Sequence, residues 1–72
     1  MSKKELTEAD RECLLAYAKY GMQMSETARR LVFHRNTVKY HLDQVKAKTG
    51  LSPYDFYDLV KLVQMFQNER KR

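Results

Sequence analysis

A chain of 72 residues can bury only a limited core, so its fold must be compact and local in its contacts, and oligomerisation would help it. Fourteen Lys and Arg against nine Asp and Glu give a net charge of +5, which suits a polyanionic partner or simply a soluble basic surface. The single cysteine, Cys13, excludes an intramolecular disulfide; no apolar run nears the roughly 18–20 residues of a membrane span; and the polar start MSKKELTEAD carries no secretory signal, so the expected compartment is the cytoplasm.

Two glycines and one proline fall where helices should start or stop, a distribution that suits an all-helical chain. Residues 1–5 form a short charged lead, expected to fray. Thr7 is the predicted N-cap of a first helix. Asp10, three residues on, approximates a capping box, and Glu8 with Asp10 suits the positive end of the helix dipole. Leu6 is placed to staple against the stem of Arg11 or to pack on the core. Positions 10, 13, 14, 17 and 21 share one face, which turns Cys13, Leu14 and Tyr17 inward. Gly21 ends the helix in a left-handed conformation, with Lys19 in the last turn.

Met22, Gln23 and Met24 read as a connector. Ser25 is the predicted cap of a second helix that runs from Glu26 to Leu31 or Val32, with Thr27, Ala28 and Leu31 inward and Arg29 and Arg30 outward. Val32, Phe33 and His34 make the turn, and His34 falls at the N-cap of a third helix over residues 35–49, an unusual residue for that position. Val38, Leu42 and Val45 form its buried stripe, with His41 and Thr49 on the margins. Asn36, Lys39, Tyr40, Asp43 and Ala47 lie opposite, and Gly50 closes the helix. Ser52, Pro53 and Asp55 predict a fourth helix from Pro53 to about Asn68. Its expected core stripe is Phe56, Leu59, Val60, Val63 and Phe66. Tyr57, Leu62 and Met65 are left over, either as a partner surface or as part of a wide core face. The end of the chain, from Asn68 on, is expected to be loose.

The second and third helices organise the chain. A helix fits the major groove of DNA, and its first turns carry the side chains that reach base edges. Asn36 can pair with adenine, Lys39 can donate to guanine or phosphate, and Tyr40 can contact phosphate or a thymine methyl. Asp43 shares their face. Arg35 and Thr37 are placed for phosphates at the helix start. Arg29 and Arg30 lie on the helix that crosses the backbone, and Lys46 and Lys48 flank the distal end. An ordinary solvated face is the plain alternative. Against it stands the combination of small Ala28, Val38 ten residues later, a short turn, and donors just after the turn.

No enzyme, metal site or cofactor is expected. His34 and His41 lack ligand partners at a zinc spacing. Cys13 falls on the core face. Asp55 and Asp58 have no second carboxylate pair, and no Gly-rich phosphate loop occurs.

The residues 6–60 resemble the LuxR-type (GerE-like) DNA-binding domain. The resemblance rests on LTEADRECLL, AKYG, Glu26 and Ala28, the run Thr37-Val38-Lys39-Tyr40-His41-Leu42, and Lys48-Thr49-Gly50-Leu51. The segment SETARRLVFHRNTV also looks like the C-terminal helix-turn-helix of PucR-type regulators. These resemblances imply a single four-helix domain, a tri-helical core plus a C-terminal helix. Helices two and three would bind DNA, with Lys39 and Thr37 in contact, and helix four would mediate dimerisation, here through Tyr57, Leu62 and Met65. Val38, Leu42 and Ala28 would be structural, and His41 would support the domain. This chain departs from the LuxR pattern at His34, at Ala9 and Asp10, at the bulky Tyr40, and at Tyr54, where arginine is common.

A sensor domain usually precedes such a domain, and here only a few residues precede Leu6. The expectation is a stand-alone, homodimeric transcription regulator, specific for double-stranded DNA and controlled by abundance or a partner. The alternative is an interaction module whose fourth helix docks RNA polymerase or another regulator.

Overall fold

Helix α1 (Glu8–Lys19) begins where its cap dictates. The Asp10 N–H donates to Thr7 Oγ1 (3.1 Å) and the Thr7 N–H donates to Asp10 Oδ2 (3.2 Å), the reciprocal box expected from the sequence. The helix ends as Gly21 takes a positive φ of 76°, which lets the Met22 N–H turn back to the Tyr17 carbonyl. The computed structural model describes residues 6–70, with side chains through residue 66, so the lead at residues 1–5 and the last two residues lie outside the described residues.

Helix α2 (Met24–Leu31) starts earlier than expected. Ser25 is not its cap but lies inside the first turn; Gln23 takes the N-cap position without a side-chain bond. The Thr27 N–H and hydroxyl both donate to the Gln23 carbonyl, at 3.0 and 2.7 Å, which pulls the preceding residues into the helix. Met24 packs against the core and holds that start in place.

The turn out of α2 is strained. Val32 occupies the left-handed region (φ 59°), a costly conformation for a β-branched side chain, and it is 88% exposed. The Phe33 N–H returns to the Ala28 carbonyl (2.8 Å), which closes α2 as glycine usually would. Helix α3 (Arg35–Thr49) then runs over the expected residues, from His34 at the N-cap to Gly50 in the left-handed region.

Helix α4 (Phe56–Arg70) starts later and ends later than expected. Pro53 is not its first residue but a buried part of the preceding turn. In that turn the Tyr54 N–H donates to Ser52 Oγ (3.2 Å). Asp55 accepts the Asp58 N–H on its carboxylate (3.0 Å), so Asp55 rather than Ser52 caps the helix. The Asp58 carboxylate in turn accepts the Ser52 N–H (3.1 Å), which ties the turn to the helix. The C-terminal end, expected to be loose, stays helical through residue 70.

The architecture is all-α, with no strand among the described residues. Helix α1 is the hub: among the described residues it packs on α2, α3 and α4. Cys13, Leu14 and Tyr17 meet Ala28, the stripe Val38, Leu42 and Val45, and Leu59, Leu62 and Phe66 in one core. A fully buried Leu such as Leu14 or Leu42 contributes about 1.5–3 kcal/mol. The buried face of α4 is rotated from the expected stripe. Phe56 and Val60 are exposed, and Leu62, expected at a partner surface, has 0% exposure and belongs to the core. It has no surface to offer a second protein. Among the described residues no helix is long and apolar enough to cross a membrane.

Candidate nucleic-acid interface

The α2–turn–α3 unit forms a helix-turn-helix. Two small or compact residues, Thr27 and Ala28, are buried where α2 meets the core, so α3 can approach closely. With Val38, Leu42 and Val45 turned inward, the row Asn36, Tyr40, Asp43 and Ala47 lies on the opposite side of α3. Asn36, Tyr40 and Ala47 are exposed, as are Arg35, Thr37, Lys39 and Lys46 around them; Asp43 is half-buried. The His34 side chain makes no cap bond, which leaves the first turn of α3 open to an outside acceptor.

Charge on this surface is partly organised. Glu26 forks to Arg29 Nη2 and Arg30 Nε, both at 2.8 Å. These bonds hold the Glu26 carboxyl below the usual carboxylate range. The Arg30 guanidinium also lies 5.1 Å from the centre of the Tyr20 ring. The expected phosphate-binding pair on α2 is therefore exposed but preoccupied by a surface acid. Arg35 and Lys46 make no ion pair among the described residues.

On α3 itself, Lys39 Nζ donates to Asp43 Oδ2 (3.0 Å) and the Tyr54 hydroxyl donates to Asp43 Oδ1 (2.8 Å). Those two bonds hold the Asp43 carboxyl below the usual range. Tyr54 sits edge-on to buried Tyr17, with ring centroids 6.1 Å apart. Burial and the bond to Asp43 push the Tyr54 hydroxyl well above the ordinary tyrosine value, so it stays a donor.

The opposite flank of α3 is gripped from α1. Asp10 is 1% exposed, and its carboxylate accepts from His41 Nδ1 (2.7 Å) on one oxygen and from Lys48 Nζ (2.8 Å) on the other. Burial alone would raise the Asp10 pKa, but the bonds from Lys48, His41 and the Thr7 N–H outweigh it and hold the group below the usual range. An ionised Asp10 can only accept, so His41 carries a proton on Nδ1. His41 is thus tied to α1, and its ring also meets Tyr40 edge-on at 5.1 Å. Lys48, placed beside the distal end of the interface from the sequence, is held by Asp10 instead.

Neither of these grips was named from the sequence, although one was visible there. Asp10 shares a face with Cys13, Leu14 and Tyr17, and an acid on a core stripe requires a buried cation. His41 and Lys48, seven residues apart on one side of α3, are that requirement met. The Tyr54 grip left a weaker signal: Tyr54 departs from the LuxR pattern, but nothing in the sequence pairs it with Asp43. Cys13 has 0% exposure, and burial, with Asp10 and Glu12 nearby, pushes its thiol up to about 11, as suits an inert core residue.

The comparisons with known proteins agree with this geometry. Residues 11–66 match the model of the PucR C-terminal helix-turn-helix domain, so of the two resemblances that family is the one matched. Over 62 residues the chain is 32% identical to the carbohydrate diacid regulator of Escherichia coli (strain K12). That alignment covers 86% of this chain and 16% of the regulator. No solved structure matches the chain.

Proposed function

Since the chain belongs to the PucR C-terminal helix-turn-helix family, DNA-binding domains of transcription regulators, we propose that it recognises a specific double-stranded DNA sequence with α3 in the major groove. One observation carries the reading. The outward row Asn36, Tyr40 and Asp43 has no task in the core and is bordered by the exposed cations Arg35, Lys39 and Lys46. Asn36 suits the N6 and N7 edge of adenine, and Tyr40 suits a phosphate or a thymine methyl. Arg35 and Thr37 serve phosphates at the start of α3, while Arg29 and Arg30 on α2 face the backbone. The reading requires no cofactor, and its compartment is the cytoplasm.

A titration of labelled duplexes at several salt concentrations tests it. Log affinity should fall with log salt by about 0.9 per phosphate neutralised. Asn36→Ala should relax preference at one base pair by about 1–3 kcal/mol. Chemical shifts that move only on α4, or on no duplex at all, would reject the reading in favour of a protein-interaction module for RNA polymerase or another regulator.

A homodimer through α4 is part of the same proposal, supported by the exposed apolar side chains Phe56, Tyr57, Val60 and Met65. Sedimentation at high concentration tests it, and a monomer there would end it.

A further inference from the structure

We propose that Lys39 and Asp43 together read one C·G base pair, and that the Tyr54 hydroxyl is the positioning residue that aims Asp43 at it. The proposal rests on the DNA-binding reading above and names part of its specificity. An acid in the middle of a surface meant for phosphates is repulsive unless it has a donor to meet. Asp43 stands there, in line with Asn36 and Tyr40, yet it is half-buried where they are exposed.

The carboxylate is fixed from two sides. Tyr54 donates to Oδ1 at 2.8 Å and Lys39 to Oδ2 at 3.0 Å. Tyr54 is itself braced, edge-on against buried Tyr17, beside buried Pro53, and with its N–H on Ser52 Oγ. The Asp43 orientation is thereby set from the core, through a residue that does not lie on α3. Each carboxylate oxygen keeps a free lone pair after these bonds. Ionised Asp43 offers only acceptors, and Lys39 beside it offers only donors. In the major groove a C·G pair presents the complement: the N4 amino donor of cytosine next to the O6 and N7 acceptors of guanine. Thymine O4 and guanine O6, in the place of the cytosine amino group, would meet a carboxylate that has no proton to give. An A·T pair, whose adenine N6 also donates, sets a single acceptor and the thymine methyl where guanine presents both O6 and N7 to Lys39.

The test is selection of bound duplexes from a random pool by the full chain, followed by titration of the selected site with each base pair replaced. The wild type should require C·G at one position, where any other pair weakens binding roughly tenfold. Tyr54→Phe keeps the ring against Tyr17 and removes only the hydroxyl. It should melt where the wild type does and lose most of that preference, at that position and no other. Asp43→Asn supplies a second reading should Tyr54→Phe fold poorly; it should abolish the C·G requirement and strengthen binding to unrelated duplexes. A wild type that binds DNA without a C·G requirement overturns the proposal and leaves the DNA-binding reading intact, and so does a folded Tyr54→Phe with every preference unchanged. A wild type that binds no duplex overturns both.

Discussion

Helix α3 is held by two carboxylates on its two flanks, and they differ in one respect that decides what each does. Asp10 and Asp43 each accept two side-chain donors, one per oxygen, at 2.7–3.0 Å. Asp10 is 1% exposed and binds α1 to α3 in the dry interior. The Asp43 side chain is 46% exposed and faces water. A buried carboxylate that loses a partner is left uncompensated, so its bonds are structural. An exposed one gains little stability from the same bonds, since water competes for them. What such bonds retain is orientation. Identical chemistry thus fixes the position of the helix on one flank and the aim of a side chain on the other.

The largest expected effect breaks the dry flank. Asp10→Ala removes the acceptor for His41 and Lys48 and one half of the Thr7 box. Urea unfolding should show a loss of about 3 kcal/mol, the lower end for breaking a buried pair, because Lys48 and His41 lie near enough to the surface to reach water. For a domain of this size that approaches the whole stability.

The second effect is with acid. The folded-state pKa of Asp10 lies below its unfolded value, so the unfolded chain takes up the proton first as pH falls. The stability Asp10 contributes is complete above about pH 4 and is lost as pH drops through its folded value. Glu26 and Asp43 are lowered as well, but their pairs face solvent and add little. Stability measured against pH should therefore decline on an acid limb that Asp10→Asn flattens and Asp43→Asn does not.

A third substitution touches neither flank. Val32→Gly relieves the left-handed strain in the turn, set against the greater freedom of an unfolded glycine, and should stabilise the domain by about 0.5–1 kcal/mol in thermal melts. The smallest effect belongs to the wet flank. Tyr54→Phe should cost no more than about 0.5 kcal/mol in urea, in line with other surface changes. A cost comparable to that of Asp10→Ala would collapse the distinction between the two flanks.

What could be read from the chain beforehand follows the strength of local signals. Thr7 with Asp10, Gly21 and Gly50 mark their helix ends because capping geometry admits few residues, and α3 was predicted over its observed span. Ser25 is a good cap in isolation, but the hydroxyl bond from Thr27 to the Gln23 carbonyl carries the start of α2 back to Met24. The start of α4 was misplaced for a similar reason, with Asp55 displacing Ser52. The face of α4 was beyond reach of periodicity. Phe56, Tyr57, Leu59, Val60, Leu62, Val63, Met65 and Phe66 are apolar nearly all round the helix, so only packing into the shared core decides that Leu59, Leu62 and Phe66 turn in. In the candidate interface, the exposed row of α3 is legible from its spacing. So is Lys39 beside Asp43, four residues apart on one helix; Tyr54, the other partner of Asp43, is not, because it arrives from another element.

Cys13 gives the domain a built-in clock. It is the one thiol in the chain, it has 0% exposure, and it sits in the middle of the helix that touches all three others. With its pKa raised to about 11, almost no thiolate exists in the folded state at neutral pH. An alkylating reagent must wait for an opening that frees α1, and such an opening dismantles the core. The rate of labelling at Cys13 therefore counts excursions of the whole domain, and the same reagent can time them with and without DNA bound.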